Sequence, residues 1–256
     1  MPFHSSDAYR HYEHSVLHNM RYVHEESVRD FLRAVQETSK SRTRILAAGS
    51  ILWRAQKDHA YRTENKGQPD EMEIPRACDL ERMKPILEKA TDGRVNPRGI
   101  LHLYLALEES TACTEVRPWL GSYISLAQFQ TKRDLRIVDC TSDERKWLPF
   151  KIFNAVDIEN PTIIPWAPHE FENVVWGDIG YGMSRPVTLE DSGLSYCPTQ
   201  IIAESLRCHG ADGIAYRSVL AEGGMNITLF DIRDADCINC RLIKTKGIKF
   251  TFVPES

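Results

Sequence analysis

The chain lacks any run approaching the ~20 consecutive apolar residues of a membrane-spanning helix. Its first residues, MPFHSSDAYRHYEHS, also lack the apolar core of a secretory leader. A cationic excess is missing too: 32 lysines and arginines against 36 aspartates and glutamates leave a net charge of −4. That excludes a global basic field for nucleic acid or an anionic membrane. The seven cysteines (Cys78, Cys113, Cys140, Cys197, Cys208, Cys237 and Cys240) are an odd number and widely scattered. They read as reduced thiols in a cytoplasmic protein rather than as a disulfide framework. GxGxxG, the P-loop, GxSxG and HExxH are all absent, which removes the common nucleotide-fold and hydrolase signatures. Cys237 and Cys240 form a CxxC, but Cys208 and His209 are adjacent and chelate poorly, so no metal is expected. His11, His14 and His18 cluster on a helical stretch, where solvent-facing histidines are the ordinary reading.

What is present is an ordinary globular composition, 42% hydrophobic and 27% charged over 256 residues, enough for one domain with an appendage. Residues 1–48 carry a helical period through Tyr9, Tyr12, Val16, Met20 and Val23, then Val28, Phe31, Leu32 and Val35. Asp7 is the expected N-cap. After Gly49-Ser50, ILWRA (51–55) reads as a short strand, 56–76 as a long polar loop, and 79–90 as a helix interrupted by Pro85. Strands are expected at 100–106, 122–130, 135–139, 213–218 and 226–231. Helices are expected at 110–118, near 143–154, and from Pro198 to Gly210. The basic tail 241–253 is expected to form a last strand pair at a sheet edge.

Several polar residues sit where an element buries apolar ones. Arg54 lies inside ILWRA, and a buried arginine is costly unless paired, while its planar fork suits a phosphate or carboxylate. Glu115 lies in STACTEVRP, where it either faces a site or pairs with Arg117. Ser218 ends GIAYRS as a cleft hydroxyl or a turn residue. Tyr104 is a strand aromatic whose default is core packing.

In order and with their surroundings, these segments resemble the RES domain family, named for an arginine, a glutamate and a serine. The resemblance runs through ILWRA, GRVNPRGILHLYLALEESTACTEVRP (93–118), YISLAQFQTKRDLRIVD (123–139), YCPTQIIAESLRCHGADGIAYRS (196–218) and GGMNITLFD (223–231). It implies an α+β, ADP-ribosyltransferase-like fold with a mixed central sheet and flanking helices over residues 49–256, plus an amphipathic helical extension, residues 1–48. It also implies a toxin of a toxin–antitoxin module, paired with an Xre-type helix-turn-helix antitoxin, and self-association is a further expectation. The implied activity consumes NAD as substrate by cleaving the nicotinamide glycosidic bond, with phosphate or water as acceptor. The alternatives are protein mono-ADP-ribosylation on the same fold, or a non-catalytic binding module. Under this resemblance Glu115 stabilises the developing cation, Arg54 clamps a phosphate or ribose, and Ser218 bonds the nicotinamide ribose or amide. Tyr104 offers a ring face to nicotinamide, Arg94 a phosphate contact, and Asn96 and Asn226 lesser substrate contacts.

Overall fold

The computed structural model describes residues 3–141, 168–186 and 192–249. Its centre is an eight-stranded mixed sheet in the order β1-β7-β8-β9-β5-β2-β6-β10. The strands are β1 (Thr43–Leu46), β2 (Ile51–Gln56), β5 (Leu103–Ala106), β6 (Tyr123–Thr131), β7 (Leu135–Asp139), β8 (Gly213–Arg217), β9 (Met225–Leu229) and β10 (Ala235–Lys244). β7 and β8 pair in parallel and every other pair is antiparallel. A parallel pair requires a crossover, and the chain between β7 and β8 supplies helices α4 (Pro168–Ser184), α5 (Ser192–Ser195) and α6 (Cys197–Cys208).

α1 (Ala8–His14) and α2 (Glu26–Arg42) precede the sheet, and α3 (Glu109–Glu115) follows β5. The apolar faces of α1 and α2 close on α4 and α6 in one core with Phe3, Tyr12, Phe31, Val35, Trp176, Ile179, Ile202 and Ile214. Tyr12 stacks on Phe31 with ring centroids 4.3 Å apart, and its hydroxyl donates to the Pro198 carbonyl at 2.7 Å. A second core, built on Leu52, Leu103, Leu105, Phe129, Leu135 and Ile137, joins strands across the sheet.

Apart from the helix near 143–154, the strands and helices foreseen from 100 to 231 are present within a few residues, and four other segments differ. Residues 60–76 are not a loop but a hairpin of β3 (Ala60–Glu64) and β4 (Met72–Arg76). It is exposed along most of its length and so carries no apolar alternation to announce it. Residues 79–90 form two 3₁₀ turns, Leu80–Met83 and Leu87–Lys89, because Pro85 holds Lys84 in extended backbone (φ −79°, ψ 153°). The first 48 residues are not one helical run: an irregular stretch separates the N-terminal helix from α2, and the chain passes straight from Arg42 into β1. Asp7 precedes α1 without capping it through its side chain. At the other end β10 is one ten-residue strand with an irregularity at Cys237–Asn239; residues 245–249 form no second strand, and the rest of the expected pair falls outside the described residues. The helix expected near 143–154 falls outside the described residues.

Candidate active site

β8, β9, β5 and β2 are neighbours in the sheet; Arg54, Tyr104 and Asn226 lie on them, Ser218 just beyond the end of β8, and Glu115 on α3. Register places Trp53 opposite Ala106, Ala106 opposite Asn226, and Asn226 opposite Tyr216. The β2–β5 junction consists of a single paired position, Trp53 with Ala106. Next to it a cavity of about 260 Å³ is lined by Trp53, Arg54, Tyr104, Glu115, Tyr216 and Asn226, among others.

Arg54 is held at this junction. Its Nη1 donates to the Tyr104 carbonyl at 2.9 Å, giving that backbone acceptor a partner where β2 and β5 scarcely pair. Burial, with Arg82 nearby, pulls the guanidinium down to about 10, which still leaves it charged at neutral pH.

Glu115 is the last residue of α3. A carboxylate at a helix C-terminus meets the negative end of the helix dipole, so its position depends on other donors. Ser218 Oγ donates to its Oε1 at 2.6 Å and Asn226 Nδ2 donates to the same oxygen at 2.7 Å. Oε2 has no bond of its own among the described residues. Ser218 is fixed in turn, since its Oγ accepts from the N–H groups of Leu220 and Ala221 at 3.2 and 3.0 Å. Its own N–H donates to the Gly224 carbonyl at 2.9 Å. Gly224 lies against α3 so closely that a Cβ there would come within 2.5 Å of Thr111 Oγ1. Beyond Glu115 the chain turns at Arg117, whose φ of 47° is unusual for a non-glycine residue.

Tyr104 lines the cavity, and its phenol is tied elsewhere. The hydroxyl donates to Asn96 Oδ1 at 2.6 Å and accepts from the Val95 N–H at 3.1 Å. Burial raises that phenol well above its ordinary value. Asn96 spends its amide on the carbonyls of Thr91, Pro97 and Ile100, which makes it the organiser of the 91–100 loop. Arg94 is not brought to the cavity. It donates to the Arg185 carbonyl and lies 5.8 Å from the Tyr196 ring centroid.

The structure therefore gathers Arg54, Tyr104, Glu115, Ser218 and Asn226 at one place and leaves Arg94 and Asn96 at its periphery. Trp53 and Tyr216 line the cavity and escaped notice as apolar strand residues. Burial pushes the Tyr216 phenol up to about 12. Its one sequence signal was its place two residues before Ser218, on the same face of the chain. No group of three or more His, Cys, Asp or Glu suited to a metal converges among the described residues.

The RES domain profile matches residues 51–252. A second likeness is to the DNA primase large subunit PriL of Thermococcus kodakarensis, 36% identical over 78 residues. It covers 29% of this chain, and the chain spans 19% of that protein's length. Among solved structures, the crystal structure of the M. tuberculosis MbcT–MbcA toxin–antitoxin complex aligns at a TM-score of 0.38 with 11% identity. That alignment covers 83% of this chain and 92% of the other.

Proposed function

The chain belongs to the RES domain family, and from that premise and its site we propose that it cleaves the nicotinamide N-glycosidic bond of NAD. The observation that carries this reading is Glu115, anchored through Oε1 by Ser218 and Asn226 beside a cavity walled by Arg54 and two tyrosines.

Bond cleavage sends the glycosidic electron pair to the nicotinamide nitrogen, so a cationic ring leaves as neutral nicotinamide. The ribose carbon it departs becomes oxocarbenium-like, and a fixed carboxylate lowers the cost of that charge. Oε2 of Glu115 is the oxygen left for the sugar. Ser218 and Asn226 hold the carboxylate rather than the substrate. The ring faces of Tyr104 and Tyr216 suit the cationic nicotinamide. An oxygen of phosphate then bonds to the ribose carbon and gives ADP-ribose 1″-phosphate; water would instead give ADP-ribose, losing a proton. No metal is required in this scheme.

In the cell we propose that such an enzyme acts in the cytoplasm as a toxin that depletes NAD, restrained by an antitoxin of the Xre helix-turn-helix type. No helix among the described residues is long and apolar enough to cross a membrane.

Mass spectrometry or NMR of NAD incubated with the purified protein, with and without phosphate, tests the chemistry. NAD should disappear with release of nicotinamide, and Glu115→Gln should slow this by about 100- to 1000-fold without altering the melting temperature appreciably. Intact NAD with the wild-type protein, or full activity in Glu115→Gln, would overturn the reading. ADP-ribose appearing on added protein would redirect it to a transferase.

A further inference from the structure

The stretch leading into α2 has its polarity inverted. Along residues 20–24 the apolar members Met20, Tyr22 and Val23 are 44%, 91% and 74% exposed. Arg21 Nε and His24 Nδ1 are instead buried, without a hydrogen-bond partner. Buried polar nitrogens left unbonded are expensive and uncommon in a folded chain. Both residues line a cavity of about 320 Å³ that shares no lining residue with the Glu115 cavity.

One face of α6 forms part of its wall through Cys197, Gln200, Ile201 and Glu204, spaced three and four residues apart. Gln200 Nε2 donates to the Gly93 and Asn96 carbonyls at 2.8 and 2.9 Å, and its Oε1 accepts no bond among the described residues. Asp92 brings a second carboxylate to the lining, of which Oδ1 accepts the Arg98 N–H at 3.0 Å. Arg21 and Glu204 make no ion pair among the described residues, yet both act on the Cys197 thiol. Burial raises that thiol, Arg21 opposes the rise and Glu204 adds to it. A cation and carboxylates thus border one cavity without meeting.

A purely anionic ligand would satisfy Arg21 and be repelled by Asp92 and Glu204. A purely cationic one would leave Arg21 and His24 unmatched. A small molecule carrying both charges satisfies the two sides together. Size narrows its class: a cavity of about 320 Å³ lies at the lower end of the roughly 300–1,000 Å³ of drug-sized sites, too small for a dinucleotide or a folded peptide.

We infer that this cavity is a binding site for a free α-amino acid. Arg21 and His24 receive its carboxylate, Glu204 and Asp92 its ammonium, and Tyr22 and Ile201 flank its side chain. Gln200 Oε1 offers the ammonium a neutral acceptor. Through its amide Gln200 also ties the site to the loop whose Asn96 holds the Tyr104 hydroxyl. The site stands whatever the Glu115 cavity does.

A thermal-shift screen of the full chain against each proteinogenic L-amino acid, without NAD, selects the probe. Calorimetric titration with that amino acid, its N-acetyl derivative and its methyl ester then tests the assignment. Saturable binding of the free amino acid is expected, weakened about tenfold or more by either blocking group. Arg21→Gln and Glu204→Gln should each weaken it by a similar factor. Glu204 is exposed, so its variant should melt with the wild type. The N-acetyl derivative, lacking the ammonium, should be indifferent to Glu204→Gln, and the ester, lacking the carboxylate, to Arg21→Gln. No stabilisation by any amino acid, derivatives that bind as tightly as the parent, or unchanged binding in Glu204→Gln would each overturn the proposal. Because no turnover is measured, this site and the NAD-cleaving assignment fail separately.

Discussion

Glu115 shows how much of a site is spent on holding one side chain. It stands at the unfavourable end of a seven-residue helix, and two donors from outside that helix fix one of its oxygens. In the proposed reaction Ser218 would act through Glu115, and its removal should be read as a loss of position. Ser218→Ala is expected to lower kcat roughly tenfold, the worth of one charge-assisted hydrogen bond, with little change in KM for NAD. A rise in KM at constant kcat would instead make the hydroxyl a substrate contact. His102 carries a second prediction at this scale. Burial, then the charge of Arg207, lowers its folded value to about 4, against about 6.5 in an unfolded chain. Between those values the unfolded state binds the extra proton, so stability falls as pH drops from about 6.5 toward 4. The loss is at most about 3 kcal/mol. Denaturant melts at pH 7 and pH 5 should show it, and His102→Asn should flatten the difference; equal slopes in both proteins would remove His102 as the cause.

Among the elements, β8 is the one on which site and sheet both depend. It forms the single parallel pair among the described residues, with β7, pairs on its other edge with β9, and leads directly into Ser218. At its start a Cβ on Gly213 would lie 2.4 Å from the Thr228 carbonyl oxygen, a backbone atom that cannot swing aside. Gly213→Ala is therefore expected to cost about 1–3 kcal/mol, measured as a lower denaturation midpoint, with Ser218 and its activity disturbed in step. An unshifted midpoint would mean the strand can slide. The strands at 103–106, 123–131, 135–139, 213–217 and 225–229 were legible as short runs of apolar and β-branched residues, and α3 and α6 through their flanking prolines and apolar spacing; α4 and α5 were not foreseen. The β3–β4 hairpin buries little and carries no such run. Arg54, Glu115 and Ser218 could be singled out as polar residues among apolar neighbours. Trp53, Tyr216 and His102 look like ordinary core or strand residues, and only cross-strand register and cavity lining set them apart. The convergence of β2, β5, β8 and β9 is long-range pairing, which local periodicity does not encode.

At the scale of the whole molecule, the helical first part and the sheet share one interior. Tyr12, Phe31 and Val35 pack with Trp176, Ile179 and Ile202. Thr38 accepts the Trp176 indole N–H at 3.0 Å, and Arg42 lies over the same ring at 4.9 Å. β1 completes the join by pairing with β7. The division proposed from sequence, residues 1–48 against 49–256, therefore marks a boundary of resemblance, and these contacts argue that the two parts unfold together. A fragment beginning at residue 49 would uncover the α4 and α6 faces and open the β7 edge. A bared edge of this kind invites pairing between chains. Such a fragment is expected to lose its near-UV circular dichroism, bind anilinonaphthalene sulfonate and melt without a sharp transition. Tyr12→Ala in the full chain should cost about 3–5 kcal/mol, whereas Tyr12→Phe, which loses only the bond to Pro198, should cost about 1 kcal/mol. A fragment 49–256 with a sharp melt near that of the full protein would show that the helices are an accessory. Coincident loss of structure and of NAD turnover would make them part of the scaffold that keeps Glu115 in place.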